Sequence, residues 1–279
     1  MNLISSTTPA YADWLSDFCI NHENLYVRNS WPVIDYCFQL DRQLPDTYGW
    51  QFSSATVLEK QLSLAASPAA FNRIYWTSQA RNVEAYSTTS FWRGIELLKS
   101  AIRSLNMHEV ISPAVLSRSL LELSCVFLHN AHTLKRAFSE ITFPPNKFVV
   151  SKEIEEQIVK MLWGTRYGDP DPQVKQTNIL SFIQKVAKDP NMKDLTDVYD
   201  FLCDIAHPSF IGNTRFWATL EQANDDGSER TVIGRYSAGP SANKILEKII
   251  WSLERSAAIL RMSFENTAEG LKHLQEKTK

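Results

Sequence analysis

The stretch YDFLCDIAHPSFIGN carries the side chains best suited to chemistry, because a helical pattern bears aspartates and ends in a His-Pro pair. Asp197, Asp200 and Asp204 fall on the helix edge away from its apolar stripe, and His207 precedes Pro208. A carboxylate-backed imidazole can act as a general base or a metal ligand. We expect Asp204 to orient His207, which the proline leaves exposed. A structural alternative stays open, since a protonated histidine at a helix C-terminus is stabilised by the helix macrodipole.

A second set of polar residues forms one strip on a predicted helix over residues 112–138. At 100° per residue, the strip lies opposite the leucine-rich face and contains Arg118, Glu122, Cys125, His129, His132 and Arg136. If the helix is buried, these side chains need partners, because an unpaired buried charge is costly. The strip then indicates a functional cleft. If it faces solvent, Arg118 and Glu122 are a routine i,i+4 pair.

Metal chemistry is the third interpretation of the same residues. Di-iron helical bundles use Glu-x-x-His on two helices, with further glutamates on the neighbouring helices. This chain has one Asp204-x-x-His207 and no Glu-x-x-His. Glu122, His129 and His132 could complete a site, but the repeat of the motif is missing. The sequence therefore predicts no metal ligands.

Helical periodicity positions these residues. Predicted helices cover residues 11–19, 55–66, 78–105, 112–138, 151–163, 177–187, 193–207 and 241–275. Residues 214–237 instead alternate β-branched and aromatic residues around Asp225-Asp226-Gly227, which predicts a hairpin. The expected fold class is mainly α, a single helical bundle with a small β-hairpin insertion before a long C-terminal helix. We expect an irregular N-terminal helical segment over residues 1–75, packed on a bundle over residues 76–279.

The last helix has the clearest periodicity in the chain. Its apolar residues alternate by four and three, from Leu246 to Leu274, for about four heptads. A helix of this length extends about 50 Å. We expect it to join subunits into a homo-oligomer, and packing within its own bundle is the alternative.

Composition excludes several classes of protein. Hydrophobic residues are 44% of the 279, and 29 basic against 31 acidic residues give a net charge of −2, with no overall basic surface for nucleic acid. Four scattered cysteines without a C-x-x-C pair favour reduced thiols. No signal peptide and no run of about 18 apolar residues is evident, so we expect a cytoplasmic protein with no membrane partner. Phosphate-loop, Rossmann, nucleophile-elbow and H-E-x-x-H motifs are absent, and we expect no cofactor.

The pattern Tyr199-x-x-Leu202-Cys203-x-x-x-His207-Pro208-Ser209, after S-R-S-L-L-E-L at residues 117–123, resembles a known family. It is similar to poorly characterised bacterial helical proteins related to the HEPN superfamily (higher eukaryotes and prokaryotes nucleotide-binding), over about residues 80–275. The resemblance implies a helical bundle, often dimeric. It also implies an effector that acts on RNA or nucleotides, in many members a metal-independent ribonuclease used as a toxin or in antiviral defence.

Metal-independent RNA cleavage needs a base for the 2′-hydroxyl and a cation for the charge that develops on phosphorus. Our first assignment is His207 with Arg118, or with Arg215 just after the helix ends, supported by Asp204 and Glu122. The expected substrate contacts are Arg215, His129 and Tyr199. The superfamily signature, an arginine followed after four to six residues by a histidine, is matched by Arg103-Ser-Leu-Asn-Met-His108, which is the second assignment. The alternative function is a non-catalytic helical interaction protein whose polar strip is structural.

Overall fold

The structure is a computed structural model that describes residues 7–165, 167–168, 171, 174–175, 178–207, 217–223, 229–238 and 242–279. For residues 217–223 and 229–238 only the backbone is described. The α-helices of the described residues are α1 Asp13–Ile20, α2 Leu25–Arg28, α3 Ser30–Gln43, α4 Ala55–Ser63, α5 Pro68–Asn106, α6 Ile111–Glu140, α7 Lys152–Trp163, α8 Ile179–Val186, α9 Leu195–Ala206 and α10 Ala242–Thr278. A short 3₁₀ helix, Pro190–Met192, precedes α9.

The helices expected from periodicity are present, and except at the start of α5 their ends shift by only a few residues. α6 and α10, which carry the two strictest apolar stripes, lie within a few residues of their predicted ranges. α7 begins after Ser151, whose side chain accepts a hydrogen bond from the Ile154 amide as predicted for an N-cap.

Two prolines lie in the first turns of helices. We expected α5 to begin near Ser78, but it begins at Pro68, and the Ser67 hydroxyl accepts from the Ala70 amide at 3.2 Å. Pro32 similarly lies in the first turn of α3 rather than interrupting the chain. A first-turn proline loses no hydrogen bond, because its missing N–H has no partner within the helix. α5 is consequently continuous across residue 75, where we expected the N-terminal segment to end.

The C-terminal end of α5 is closed by a histidine in the left-handed conformation. His108 has φ 60°, its amide donates to the Leu105 carbonyl at 2.8 Å, and the Glu109 amide donates to the Ser104 carbonyl at 3.0 Å. This pair of bonds is the Schellman motif, which usually places glycine where His108 lies. The motif fixes the short turn from α5 to α6.

The chain divides into two compact units. The first contains Met1–Gln39, Gly94–Leu123 and Ile183–Ala258, and the second contains Leu40–Arg93, Ser124–Phe182 and Ile259–Lys279. Fully buried side chains in the first unit include Leu15, Ile34, Ile102, Leu120, Leu202 and Leu253. A core cluster in the second unit includes Tyr75, Trp76, Val83, Leu134, Phe138, Ile158 and Leu274.

The expected fold class needs correction. The helical bundle part fits. The small β-hairpin insertion, however, is not present as predicted over residues 214–237. What is described there is backbone pairing of β1 Trp217–Ala223 with β2 Glu229–Ala238, with an irregular register between Trp217 and Ala218. A turn signal predicts where the chain reverses but not how the flanking residues pair. The fold class is therefore stated as mainly α, without the insertion.

One helix of the described residues, Ile111–Glu140, is long and apolar enough to cross a membrane by length and composition alone. Half of its most apolar window is buried inside the protein, and the core helix of a soluble protein has the same properties. The helix is therefore consistent with a soluble protein.

Candidate functional site

The candidate site begins with two side chains one turn apart on α6. Arg118 Nε donates to Glu122 Oε1 at 3.1 Å, and the two side chains are 25% and 29% exposed. Residues four apart share a helix face, so this contact follows directly from the spacing. A half-buried pair is screened less by salt than a fully exposed pair.

α9 supplies the third side chain to the site. Tyr199 is buried at 4% exposure, and its hydroxyl donates to Glu122 Oε1 at 2.8 Å. The Arg118 guanidinium carbon lies 5.7 Å from the centre of the Tyr199 ring, within the range of a cation–π contact. Glu122 Oε1 thus accepts one hydrogen bond from α6 and one from α9.

His207 lies at the end of α9, two helical turns beyond Tyr199. Its amide donates to the Cys203 carbonyl at 2.9 Å, and its side chain is exposed. Its Nε2 lies 3.5 Å from Arg118 Nη1. A guanidinium nitrogen only donates, so in a hydrogen bond at this contact Arg118 is the donor and His207 Nε2 the acceptor.

Burial and hydrogen bonding shift the pKa values of the site. Burial raises the pKa of Tyr199, and its bond to Glu122 raises it further, so the hydroxyl stays protonated and keeps donating. Burial works to lower the pKa of Arg118, but the Tyr199 hydroxyl, Cys203 and Glu122 outweigh it and raise the value. Arg118 is therefore a permanent cation.

Cys203 is a member of this cluster that sequence reasoning did not assign to it. The half-exposed thiol shares a hydrogen bond with Tyr199, and burial raises its pKa although Tyr199 and Arg118 oppose the change. Residues 199, 203 and 207 recur every four positions, which places them along one helix face. That spacing was the available signal.

The structure brings together four of the predicted site residues, Arg118, Glu122, Tyr199 and His207. Asp204 is exposed on α9, and its predicted role in orienting His207 stays a prediction. Arg215 lies outside the described residues. His129 belongs to the second unit, where its ring lies 5.0 Å from the Phe182 ring.

The second assignment, Arg103 with His108, has structural partners. Arg103 Nη2 donates to the Thr7 carbonyl at 2.6 Å. The His108 ring stacks on Trp14 at 4.4 Å and closes the α5 C-terminus. Both side chains thus tie the N-terminal segment to α5.

The remaining strip residues differ in their environment. Cys125 is buried, whereas His132 and Arg136 are exposed, so the strip is neither a uniform cleft nor a uniform solvent face. Burial, with Lys135 beside it, lowers the pKa of His132. Among the described residues, no group of three or more His, Cys, Asp or Glu side chains could hold a metal ion.

Comparisons with protein-family models, with curated proteins and with solved structures found no match for this chain.

Proposed function

We propose that the protein is a metal-independent ribonuclease acting on single-stranded RNA, with His207 as general base and Arg118 as the cation of the site. The observation that carries the proposal is the 3.5 Å contact between Arg118 Nη1 and His207 Nε2. The two residues are 89 positions apart in sequence, and both reach solvent at the contact. A fixed cation beside an exposed imidazole is the minimum that metal-free phosphodiester cleavage requires.

The reaction follows from the positions of these two side chains. A phosphate oxygen that accepts from Arg118 replaces the Arg118–His207 contact and leaves His207 Nε2 for the 2′-hydroxyl. His207 takes the hydroxyl proton, and the 2′-oxygen attacks phosphorus. The bond to the 5′-oxygen breaks, and that oxygen takes a proton from water. The products are a 2′,3′-cyclic phosphate and a 5′-hydroxyl end, and Arg118 stabilises the charge that develops on the phosphoryl oxygens.

The charges around the site favour an RNA strand that contacts the protein at few phosphates over one that binds along the length of α9. Asp197, Asp200 and Asp204 are exposed along one edge of α9 and repel a polyanion that follows this edge. The net charge of −2 offers no compensating attraction over the whole chain. A flexible single strand that reaches Arg118 with one phosphate meets less of this repulsion than a rigid duplex.

The test is cleavage of a 5′-labelled single-stranded RNA of 20 nucleotides by the purified protein in EDTA. We expect the wild-type protein to produce 2′,3′-cyclic phosphate ends and to leave DNA of the same sequence intact. His207→Ala and Arg118→Ala should each lower the rate by at least about 100-fold, because proton transfer and charge stabilisation each contribute on that scale.

Matched controls separate chemistry from folding. His273→Ala and Arg73→Ala remove a half-buried histidine and an exposed arginine of the second unit and should cleave at the wild-type rate. Arg118→Lys keeps the charge and guards against misfolding of Arg118→Ala, with circular dichroism as the check on both. Wild-type protein that leaves the RNA intact, or His207→Ala that cleaves at the control rate, would refute the proposal.

The biological setting that we propose is the one the resemblance implies, a cytoplasmic HEPN-like effector in bacterial stress or phage defence. The four free cysteines support a reducing compartment. Induced expression in a bacterial host should arrest growth, and His207→Ala should relieve the arrest.

A non-catalytic assembly protein is the second candidate. It is favoured because Glu122 Oε1 accepts hydrogen bonds from both Arg118 and Tyr199, and these bonds stabilise the two side chains without any ligand. The stripe of α10 is already covered within the units, since Leu260 is buried and Phe264 lies 4.8 Å from the Phe91 ring. A homo-oligomer through α10 would therefore use its exposed residues. Light scattering after size-exclusion chromatography measures the oligomeric state directly.

A further inference from the structure

The segment between α6 and α7 in the second unit is bound to α5 through its main chain. Its main-chain groups bond to three α5 side chains, which are Asn72, Tyr75 and Trp76. The Lys147 carbonyl accepts from Asn72 at 2.9 Å, and the Val149 amide donates to the same side chain at 2.7 Å. The Val149 carbonyl accepts from the indole at 3.0 Å, and the Ser151 amide donates to the tyrosine hydroxyl at 3.4 Å. The bonded residues recur every second position, which is the period of a β-strand.

The opposite edge of this segment is unpaired. Successive residues of a strand direct their main-chain N–H and C=O groups to opposite sides, so those of Phe148 and Val150 are directed away from α5. Within the part of the chain that the structure describes, neither residue makes a main-chain hydrogen bond. Their side chains are 63% and 58% exposed. The edge therefore offers two N–H donors, two C=O acceptors and two apolar side chains.

The edge is held in its extended form by the rest of the second unit. Val149 packs against the core cluster, and the Phe148 ring lies 4.9 Å from the Phe71 ring in an edge-to-face contact. A free strand edge pairs readily with another chain. Because the extended form already exists, such pairing orders few groups and loses little conformational entropy.

The hydrogen-bonding pattern of the edge is complementary to itself. Two copies paired antiparallel about Val149 place Phe148 of each copy directly opposite the partner subunit's Val150. Each of these pairs exchanges two N–H···O bonds, so four bonds use every free main-chain group of both edges. Phenylalanine opposite valine is also a favourable apolar cross-strand pair.

Charge at the two ends of the edge favours the same antiparallel partner. Lys147 is exposed at the beginning of the edge, and the residues that follow it, 152–156, contain three glutamates and one lysine. Antiparallel pairing brings the beginning of one edge beside the end of the other. Opposite charges consequently meet twice in the pair of copies, as in an isologous interface.

We propose that residues 147–151 join two copies of this protein into a symmetric dimer by antiparallel strand pairing. One short edge gives a contact below the ~1,200 Å² of standard interfaces, so we expect a dissociation constant on the order of 10–100 μM. The dimer does not depend on the proposed ribonuclease, whose residues lie in the first unit.

Sedimentation equilibrium of the full chain, below and above the expected dissociation constant, measures the association. Val150→Pro should weaken it at least about tenfold, because proline removes two of the four bonds between the copies. The monomer loses no bond, since the Val150 N–H has no partner there. Val150→Lys places a charge opposite Phe148 and should also weaken association, so it serves if the proline variant fails to fold. Val57→Lys, at a valine of α4 that is 48% exposed, is the matched control and should associate like the wild type.

An exchange of charges tests the antiparallel direction. Lys147→Glu should weaken the association about fivefold, because two exposed ion pairs are replaced by repulsion. Adding Glu153→Lys to that variant should restore the wild-type dissociation constant to within about twofold. A double variant that associates no better than Lys147→Glu alone would overturn the antiparallel pairing.

Amide hydrogen exchange locates the contact on the edge. The amides of Phe148 and Val150 should become protected as the protein concentration rises, whereas those of Val149 and Ser151, already bonded to α5, should not change. The proposal is overturned if the protein is a monomer at every concentration or if Val150→Pro and Val150→Lys associate like the wild type. It is equally overturned if the dimer leaves the amides of Phe148 and Val150 unprotected.

Discussion

The Tyr199 hydroxyl donates to the same oxygen of Glu122 that accepts the Arg118 Nε–H, at 2.8 and 3.1 Å. A carboxylate bonded from two helices holds the guanidinium in one orientation, and that orientation directs Nη1 to His207. Tyr199 and Glu122 are therefore positioning residues for Arg118. The bond between Tyr199 and Glu122 links α6 to α9 within the first unit.

Replacing Tyr199 by phenylalanine tests this positioning. Tyr199→Phe removes the hydrogen bond to Glu122 and keeps the ring, so we expect the free energy of unfolding to fall by about 1–2 kcal/mol, as for a bond to a charged group that is partly exposed. If the proposed cleavage occurs, kcat should fall more than KM rises, because a freed guanidinium binds phosphate but loses its orientation. Urea unfolding and RNA cleavage are the measurements.

Tyr167→Phe provides the matched control for this substitution, since Tyr167 is 94% exposed. It should change neither the unfolding midpoint nor the cleavage rate. A Tyr199→Phe variant with wild-type stability and wild-type kcat would show that the hydroxyl positions nothing.

Local spacing predicted the part of the site that lies on one helix. Arg118 and Glu122 are four residues apart, and their ion pair could be foreseen from helix geometry alone. Their contact with Tyr199 joins positions 77 residues apart and depends on how α9 packs, which periodicity does not contain. The same limit applies to the division into two units, because the long helices α5, α6 and α10 each contribute residues to both.

Errors in the predicted helix ends have a different physical origin. The predicted range began at residue 78, whereas α5 begins at Pro68, in a first turn where a missing N–H costs nothing. The end of α5 was located correctly, but the left-handed residue that closes it was not foreseen, because only glycine or asparagine signals that conformation clearly. The sequence offered a histidine there.

The pH dependence of Cys203 alkylation should show the influence of its neighbours, burial and Arg118, on the thiol. Burial raises the pKa of Cys203, so less thiolate is present at pH 7.5 than in a free cysteine, and alkylation by iodoacetamide should be slower than in the unfolded chain. The rate should rise about tenfold per pH unit until the pKa is reached. Arg118 lowers this pKa, so Arg118→Gln should move the profile to higher pH.

Mass spectrometry of the Cys203 peptide measures the alkylation rate, and the buried Cys19, Cys37 and Cys125 serve as internal controls that react after unfolding. Burial raises the pKa of Cys19 to about 11, which slows its reaction further. A profile for Arg118→Gln that coincides with the wild type, or moves to lower pH, would show that the guanidinium does not act on the thiol.

Arg103 and His108 should prove structural rather than catalytic. His108→Gly removes a side chain from a left-handed position, which relieves strain of about 1 kcal/mol, and also removes the stack on Trp14, so the two effects oppose each other. We expect a change in unfolding free energy within about 1 kcal/mol and no change in any RNA cleavage. Arg103→Ala should likewise loosen only the N-terminal segment, visible as faster amide exchange near Thr7. A cleavage defect in either variant that matches His207→Ala would instead support the second assignment.

Gly270 should be intolerant of even the smallest side chain. A Cβ at this position of α10 would lie 3.0 Å from the Lys135 Cα, which belongs to the backbone of α6 and has little freedom to move. Lys135 is further held on α10, because its Nζ donates to Glu269 Oε2 at 2.6 Å and to Asn266 Oδ1 at 3.0 Å. The two helices therefore approach each other closely within the second unit, and a side chain at residue 270 would push against the α6 backbone.

Gly270→Ala should lower the free energy of unfolding by about 1–2 kcal/mol, because overpacking costs more than the roughly 1 kcal/mol that alanine contributes to helix propensity. Ala268→Gly is the matched variant two residues away, at an exposed position, and measures the propensity alone. Urea unfolding of both decides the point. If Gly270→Ala stabilises the protein by as much as Ala268→Gly destabilises it, then α6 and α10 are not in close contact at Gly270.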